Sequence, residues 1–148
     1  MSKPDDVPIE ITHTIRDTCL CLHVQRAARA VARRYDEAFR PLELTSGQFS
    51  LMMSLNRPEA PSIGNVAALL AMDRTTLTAA LKPLERRGLV TVTVDPADKR
   101  SRLMTLTPAG RTLLSAALPL WERTQAEIER HLTGSDPDRL RATLRALS

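Results

Sequence analysis

The segment DRTTLTAALKPLERRGLV, residues 73–90, runs straight into TVTV (91–94), DPADKRS (95–101) and RLMTLTPAG (102–110), and its period changes once on the way. Leu77, Ala80, Leu81 and Leu84 recur at spacings of three and four, which marks one buried helix face. Asp73 supplies an N-terminal cap, and Gly88 the left-handed residue that closes the helix. From Leu89 to Val94 the period falls to two. Val90, Val92 and Val94 lie on one side, Thr91 and Thr93 on the other, which predicts a strand. Asp95-Pro96-Ala97-Asp98 carries turn chemistry, and Arg102 to Leu106 returns as a second strand. Pro83 stands inside the helix and is expected to bend it.

Upstream, Ser62 caps a short helix in which Ile63, Val66, Ala67 and Leu70 fill one face. The Ala71-Met72 link then joins it to the Asp73 helix. Two helices, a tight link and a hairpin in this order make a winged helix-turn-helix. Before them, Thr45-Ser46-Gly47-Gln48 reads as a capping box for a helix through Phe49, Met52, Met53 and Leu55. A long helix is predicted from Thr12 to Phe39, along Leu20, Val24, Ala27, Val31, Tyr35 and Ala38. At that length it is expected to pack on a second chain as well as its own core. Thr107-Pro108 opens another long helix along Leu114, Ala117, Trp121, Ile128 and Leu132, with a kink expected at Pro119. Gly134 ends it, and Asp136-Pro137 starts a last helix whose Leu140, Leu144 and Leu147 need a partner surface.

The fold class is therefore mainly α with a small β-hairpin wing. Residues 1–11 are expected to be a flexible tail, 41–107 a DNA-binding lobe, and 12–40 with 108–148 a helical dimerisation region.

Composition narrows the chemistry. The chain has 148 residues, 43% of them apolar, enough for a packed core without metal or disulfide staples. Aromatics are 3%, too few for the stacking platforms of single-strand binders. The isolated glycines make neither a phosphate loop nor a dinucleotide fingerprint. No apolar run approaches the ~20 residues that cross a bilayer, and MSKPDDVPIE lacks an apolar h-region, so no secretory signal is expected. Two cysteines one residue apart form no disulfide framework, so a reducing cytoplasm is expected. A nucleophile with its base, or paired carboxylates, has no signature here, so an enzyme is not expected.

Net charge is +4, and its placement says more than its size. Asp73 to Arg111 carries eight basic residues against four acids, so this stretch holds the whole positive balance, the footprint of a polyanion-binding face. With Leu77, Ala80, Leu81 and Leu84 inward, Arg74, Thr75, Thr76, Thr78, Lys82 and Arg86 face outward. Short threonines near the helix start suit base edges, while Lys82 and Arg86 suit phosphates. In the wing, Asp98 is expected to orient a guanidinium beside Lys99, Arg100 and Arg102, with Arg100 entering the minor groove.

These residues carry a resemblance. DRTTLTAALKPLERRGLV, DPADKRS and LTPAG (106–110) look like the MarR family of dimeric bacterial regulators, over about residues 13–147. The resemblance implies a homodimer built from the first, fifth and sixth predicted helices, which binds a pseudo-palindromic double-stranded operator. It also implies repression relieved by a small aromatic or phenolic ligand, or by oxidation of a cysteine. Pro83 departs from many members. LCLHVQRAARAVARRYDEAFRPLELTSGQF (20–49) is similar to the organic-hydroperoxide-sensing subgroup, whose reactive cysteine and tyrosine fall at Cys21 and Tyr35; Gln25 stands where that subgroup has a second tyrosine. A thiol-based peroxide sensor is thus the alternative, and a nonspecific DNA-packaging protein a remote one.

No cofactor or metal is expected. Cys19 and His23, one turn apart, are at most half of a zinc site, and His13 and His131 have no visible partners. A ligand pocket is expected between the dimer helices and the DNA-binding lobe.

Overall fold

The computed structural model describes residues 6–148. The outer part of the expected tail, residues 1–5, lies outside them. Helix α1 (Ile9–Thr18) begins three residues before the predicted start. The long first helix is not continuous: Cys19 is extended (φ −68°, ψ 113°) and separates α1 from α2 (Leu20–Phe39). Local side chains compete for the backbone here. Thr14 and Thr18 donate their hydroxyls to the carbonyls four residues back, and the His23 ring takes the Cys19 carbonyl at 2.8 Å. Threonines that bond this way weaken and bend helices, and among the described residues α1 packs on little that could hold this segment straight. Cys19 is half-buried and Cys21 exposed, both free.

Pro41 sits in a single 3-10 turn (Arg40–Leu42) that ends α2. Helix α3 (Ser46–Ser54) carries the predicted capping box: Thr45 Oγ1 accepts from Gln48 N–H, and Gln48 Oε1 from Thr45 N–H. Ser62 caps α4 (Ile63–Leu70), Asp73 caps α5 (Arg74–Arg86) and Thr107 caps α6 (Pro108–Arg130). Asp136 caps α7 (Pro137–Ala146). Gly88 is left-handed as predicted, at φ 69°. The turn between α4 and α5 pivots on Ala71, also left-handed at φ 52°.

Neither internal proline ends its helix. In α5, Leu81 and Leu84 flank Pro83 and are fully buried. Two such leucines contribute about 1.5–3 kcal/mol each, which offsets the ~3 kcal/mol cost of an interior proline.

Strands β1 (Val90–Val94) and β2 (Arg102–Leu106) pair antiparallel, from Val90 opposite Leu106 to Val94 opposite Arg102. A bridge between Ser62 and Leu103, with Met104 N–H donating to Pro61 O, ties the start of α4 to the wing. One core joins everything from Phe39 to Ala117. At its centre Phe39 packs on Phe49, ring centroids 4.8 Å apart, and on Tyr35 at 6.0 Å.

Gly110 fixes the seam between wing and α6. A Cβ there would lie 2.1 Å from Leu89 O. Thr107 N–H donates to that same carbonyl at 3.0 Å, and the Thr107 hydroxyl to Gly88 O. The hairpin is therefore clamped to the first turn of α6, backbone against backbone. Helices α1 and α7 pack on little of their own chain, and Ile9, Ile11, Ile15, Leu20, Leu140, Leu144 and Leu147 are exposed.

Candidate nucleic-acid interface

Asp73 builds the start of the reading helix. One carboxylate oxygen accepts from Thr76 N–H at 2.8 Å and the other from the Thr76 hydroxyl at 2.7 Å. These bonds hold the Asp73 carboxyl below the usual carboxylate range, the backbone donor first. A group with a depressed folded pKa stabilises the native state above its unfolded value, near pH 4, and that contribution fades as pH falls through the folded value. Asp73→Asn keeps an acceptor for the cap but cannot titrate. Thermal melts between about pH 5 and pH 2 are therefore expected to fall less steeply for Asp73→Asn than for the wild type. Parallel curves would contradict this role of the cap.

The threonines divide in a way that periodicity did not reveal. Thr76 spends its hydroxyl proton on Asp73, and Thr78 donates its own to Arg74 O at 2.8 Å. Thr75 makes no such bond among the described residues, so its hydroxyl remains free to meet a partner. Thr75 lines a shallow outer groove with Arg74, Thr78, Ala79 and Lys82. Helical spacing puts Arg86 on the same stripe and Thr76 off its edge. Ala79 was missed by a search for polar residues, although the spacing that places Thr75 and Lys82 also places it.

In the wing, Asp95 N–H donates to Ser101 O, and Asp95 Oδ1 accepts from Ala97 N–H. Asp98 does not orient a guanidinium as expected. Its Oδ1 accepts the Arg100 backbone N–H at 3.0 Å, which shapes the turn and leaves the Arg100 side chain exposed. Arg102 donates to the carbonyls of Lys99 and Ser101. The difference follows from chain length: a two-residue reach to the main chain closes before a longer, more entropic side chain can compete.

Not all of the local charge is available. Arg87 donates to the carbonyls of Glu43 and Leu42, and Arg111 to Leu106 O. Both are internal ties. Arg74, Lys82, Arg86, Lys99, Arg100 and Arg102 are all exposed, and among the described residues none of them is in an ion pair. Arg74 and Thr78 also line a cleft with Arg100 and Arg102, so the α5 stripe and the wing form one continuous surface.

The sensing pair does not assemble within one protomer. Fourteen residues of helix put Cys21 and Tyr35 about 21 Å apart along the axis, and the Tyr35 hydroxyl donates to Gln125 Oε1. Burial raises the Tyr35 pKa, helped by Glu129. His23 turns Nδ1 to the Cys19 carbonyl rather than offering it beside the thiol. His131 has partners after all, the Glu127 carbonyl and the Arg34 guanidinium. An open groove of about 790 Å³ lies between α2 and α6, rather than between those helices and the lobe below. Ala30, Ala38 and Leu120 give it apolar walls, and Arg33, Arg34 and Arg123 with Glu37 and Glu127 a rim of mixed charge.

The model of the MarR family matches residues 44–101, from just before α3 to the end of the wing turn. The chain is 36% identical over 98 residues to the transcriptional regulator HosA of Escherichia coli O111:H-, across 65% of this chain and 71% of that one. It superposes on the M. tuberculosis transcriptional regulator MosR in complex with DNA with a TM-score of 0.80 and 38% identity, covering 88% and 93% of the two chains. A third likeness, with a TM-score of 0.70 and 28% identity, is to BpsR of Bordetella bronchiseptica, covering 86% of this chain and 89% of BpsR. That structure concerns regulation of BpsR's DNA binding by 6-hydroxynicotinic acid.

Proposed function

This chain belongs to the MarR family of DNA-binding transcriptional regulators, and from that premise we propose that it is a homodimeric repressor, released from a pseudo-palindromic operator by a small aromatic or phenolic ligand. The observation that carries this reading is the continuous surface of α5 and wing, with six exposed cations and no ion pair among the described residues to neutralise them. Residues 41–107 form the DNA-binding lobe. Residues 12–40 and 108–148, extended back to Ile9, form the dimerisation region. Apolar side chains on α1, α2 and α7 support it, since they stay exposed among the described residues.

On the operator, Thr75 meets base edges in the major groove, with the methyls of Thr76 and Thr78 beside it. Arg74, Lys82, Arg86, Lys99 and Arg102 neutralise phosphates, and Arg100 enters the minor groove. Arg100→Ala should cost ~1–3 kcal/mol of operator affinity, roughly five- to 150-fold. Unchanged affinity at fixed salt would remove the wing from the interface. The groove between α2 and α6 suits an aromatic acid, with alanines and Leu120 against the ring and an arginine on the carboxylate. Repression follows from occupancy, because a dimer seated across a promoter excludes polymerase. The protein then acts in the cytoplasm, where the operator is.

The test is a gel shift on the promoter beside its own gene, with a panel of aromatic acids and with an organic hydroperoxide. Retardation relieved by an aromatic acid is the expected result. Release by hydroperoxide alone, lost in Cys21→Ser, would transfer the function to the thiol alternative. Equal retardation of every fragment would mean packaging without sequence preference.

A further inference from the structure

Gly64 and Arg74 meet where α4 and α5 both begin. A Cβ built on Gly64 would lie 2.9 Å from Arg74 Nη2 and 3.5 Å from its Cζ. The tip of the guanidinium thus lies over a helical turn that glycine leaves bare, and leans back toward α4. This is an unfavourable place for a cation. The Arg74 charge lies over the electropositive first turn of α4, and Asp73, beside it at the start of α5, turns its carboxylate to Thr76. Among the described residues no carboxylate comes within ion-pair distance of it. Asp98, on the same cleft, turns an oxygen to the Arg100 backbone N–H. Arg100 and Arg102 line the cleft opposite, and the Ser62–Leu103 bridge fixes the wing against α4.

Arg74 and Arg102 with the start of α4 line one cleft of about 410 Å³, repel one another and attract the same thing, a compact anion, while Arg100 reaches from its rim to the minor groove. We propose that this cleft is a clamp for a single backbone phosphate of duplex DNA, and that Gly64 is the positioning residue that seats Arg74 in it. This rests on the reading of α5 and the wing as the DNA-binding surface. It makes the Arg74 phosphate contact one that sets register, since a phosphate contact orients a protein on the duplex and carries no base information.

The experiment is the salt dependence of binding to a 30-base-pair duplex of mixed sequence, followed by fluorescence anisotropy. Wild type, Gly64→Ala, Arg74→Ala and the double variant are compared, each with a thermal melt. Losing one phosphate contact lowers the steepness of log K against log salt by about one unit. Gly64→Ala is expected to show that drop and several-fold weaker binding, with no loss of melting temperature, because alanine is the better helix former. Arg74→Ala should match it, and the double variant should be no worse than either. A wild-type slope in Gly64→Ala, or a loss of two units in the double variant, would overturn the clamp and leave DNA binding standing. A wild type that binds the duplex with no salt dependence would overturn both.

Discussion

Replacing Leu140 and Leu144 together by aspartate is expected to leave a folded monomer that binds its operator roughly 10²–10⁴-fold more weakly than the wild type. Both leucines are exposed on α7, a helix that contributes nothing to the core around Phe39 and Met52. Folding of the lobe should therefore survive their loss. The association should not, since each protomer would place two charges in the apolar seam, and a buried unpaired charge costs several kcal/mol. The affinity loss comes from geometry and not from any contact with DNA. Two reading helices held at a fixed spacing bind the second half-site as an intramolecular step, and a monomer forfeits that gain. Sedimentation and anisotropy on one preparation check both halves. A variant that stays dimeric, or one that becomes monomeric and keeps its operator affinity, would contradict the proposed dimerisation region.

Gly110→Ala is expected to destabilise the fold by on the order of 3 kcal/mol, about 10 °C in melting temperature for a domain of this size. The added methyl would sit 2.1 Å from Leu89 O and 3.4 Å from Leu106 Cδ2. The first obstacle is backbone, so no rotamer change relieves it. Only lifting α6 off the hairpin does, which breaks the bond from Thr107 N–H to Leu89 O and opens the core at Met104 and Leu106. Gly47→Ala is the control. It also lies in the first turn of a helix, but nothing approaches a Cβ there within 4 Å, so its melting temperature should hold or rise. Equal melting temperatures for the two variants would contradict the clamp between hairpin and helix.

What could be read from the residues in advance was whatever depends on near neighbours in sequence. The caps at Thr45, Ser62, Asp73, Thr107 and Asp136 each satisfy donors two or three residues away, so spacing alone exposes them. The second strand spans Arg102 to Leu106, the stretch that follows the turn residues. The break at Cys19 carries no glycine or proline. It arises because Thr14, Thr18 and His23 compete for carbonyls on a segment with little packing among the described residues to resist them. The charged face was legible as a count and not as an arrangement. Arg87 and Arg111 look like Arg86 in the sequence, yet each is tied to carbonyls that the fold brings near. In the same way, Gly64 is an ordinary helix residue until α5 lays Arg74 across it.

The most direct measurement is a hydroxyl-radical footprint of the wild-type protein on a duplex enriched from random sequence by that same protein. The account predicts two protected half-sites related by a two-fold axis, their centres about one helical turn or ~34 Å apart, with two protomers bound per duplex. Protection of a single half-site by one protomer, or a selection that enriches no sequence, would contradict it.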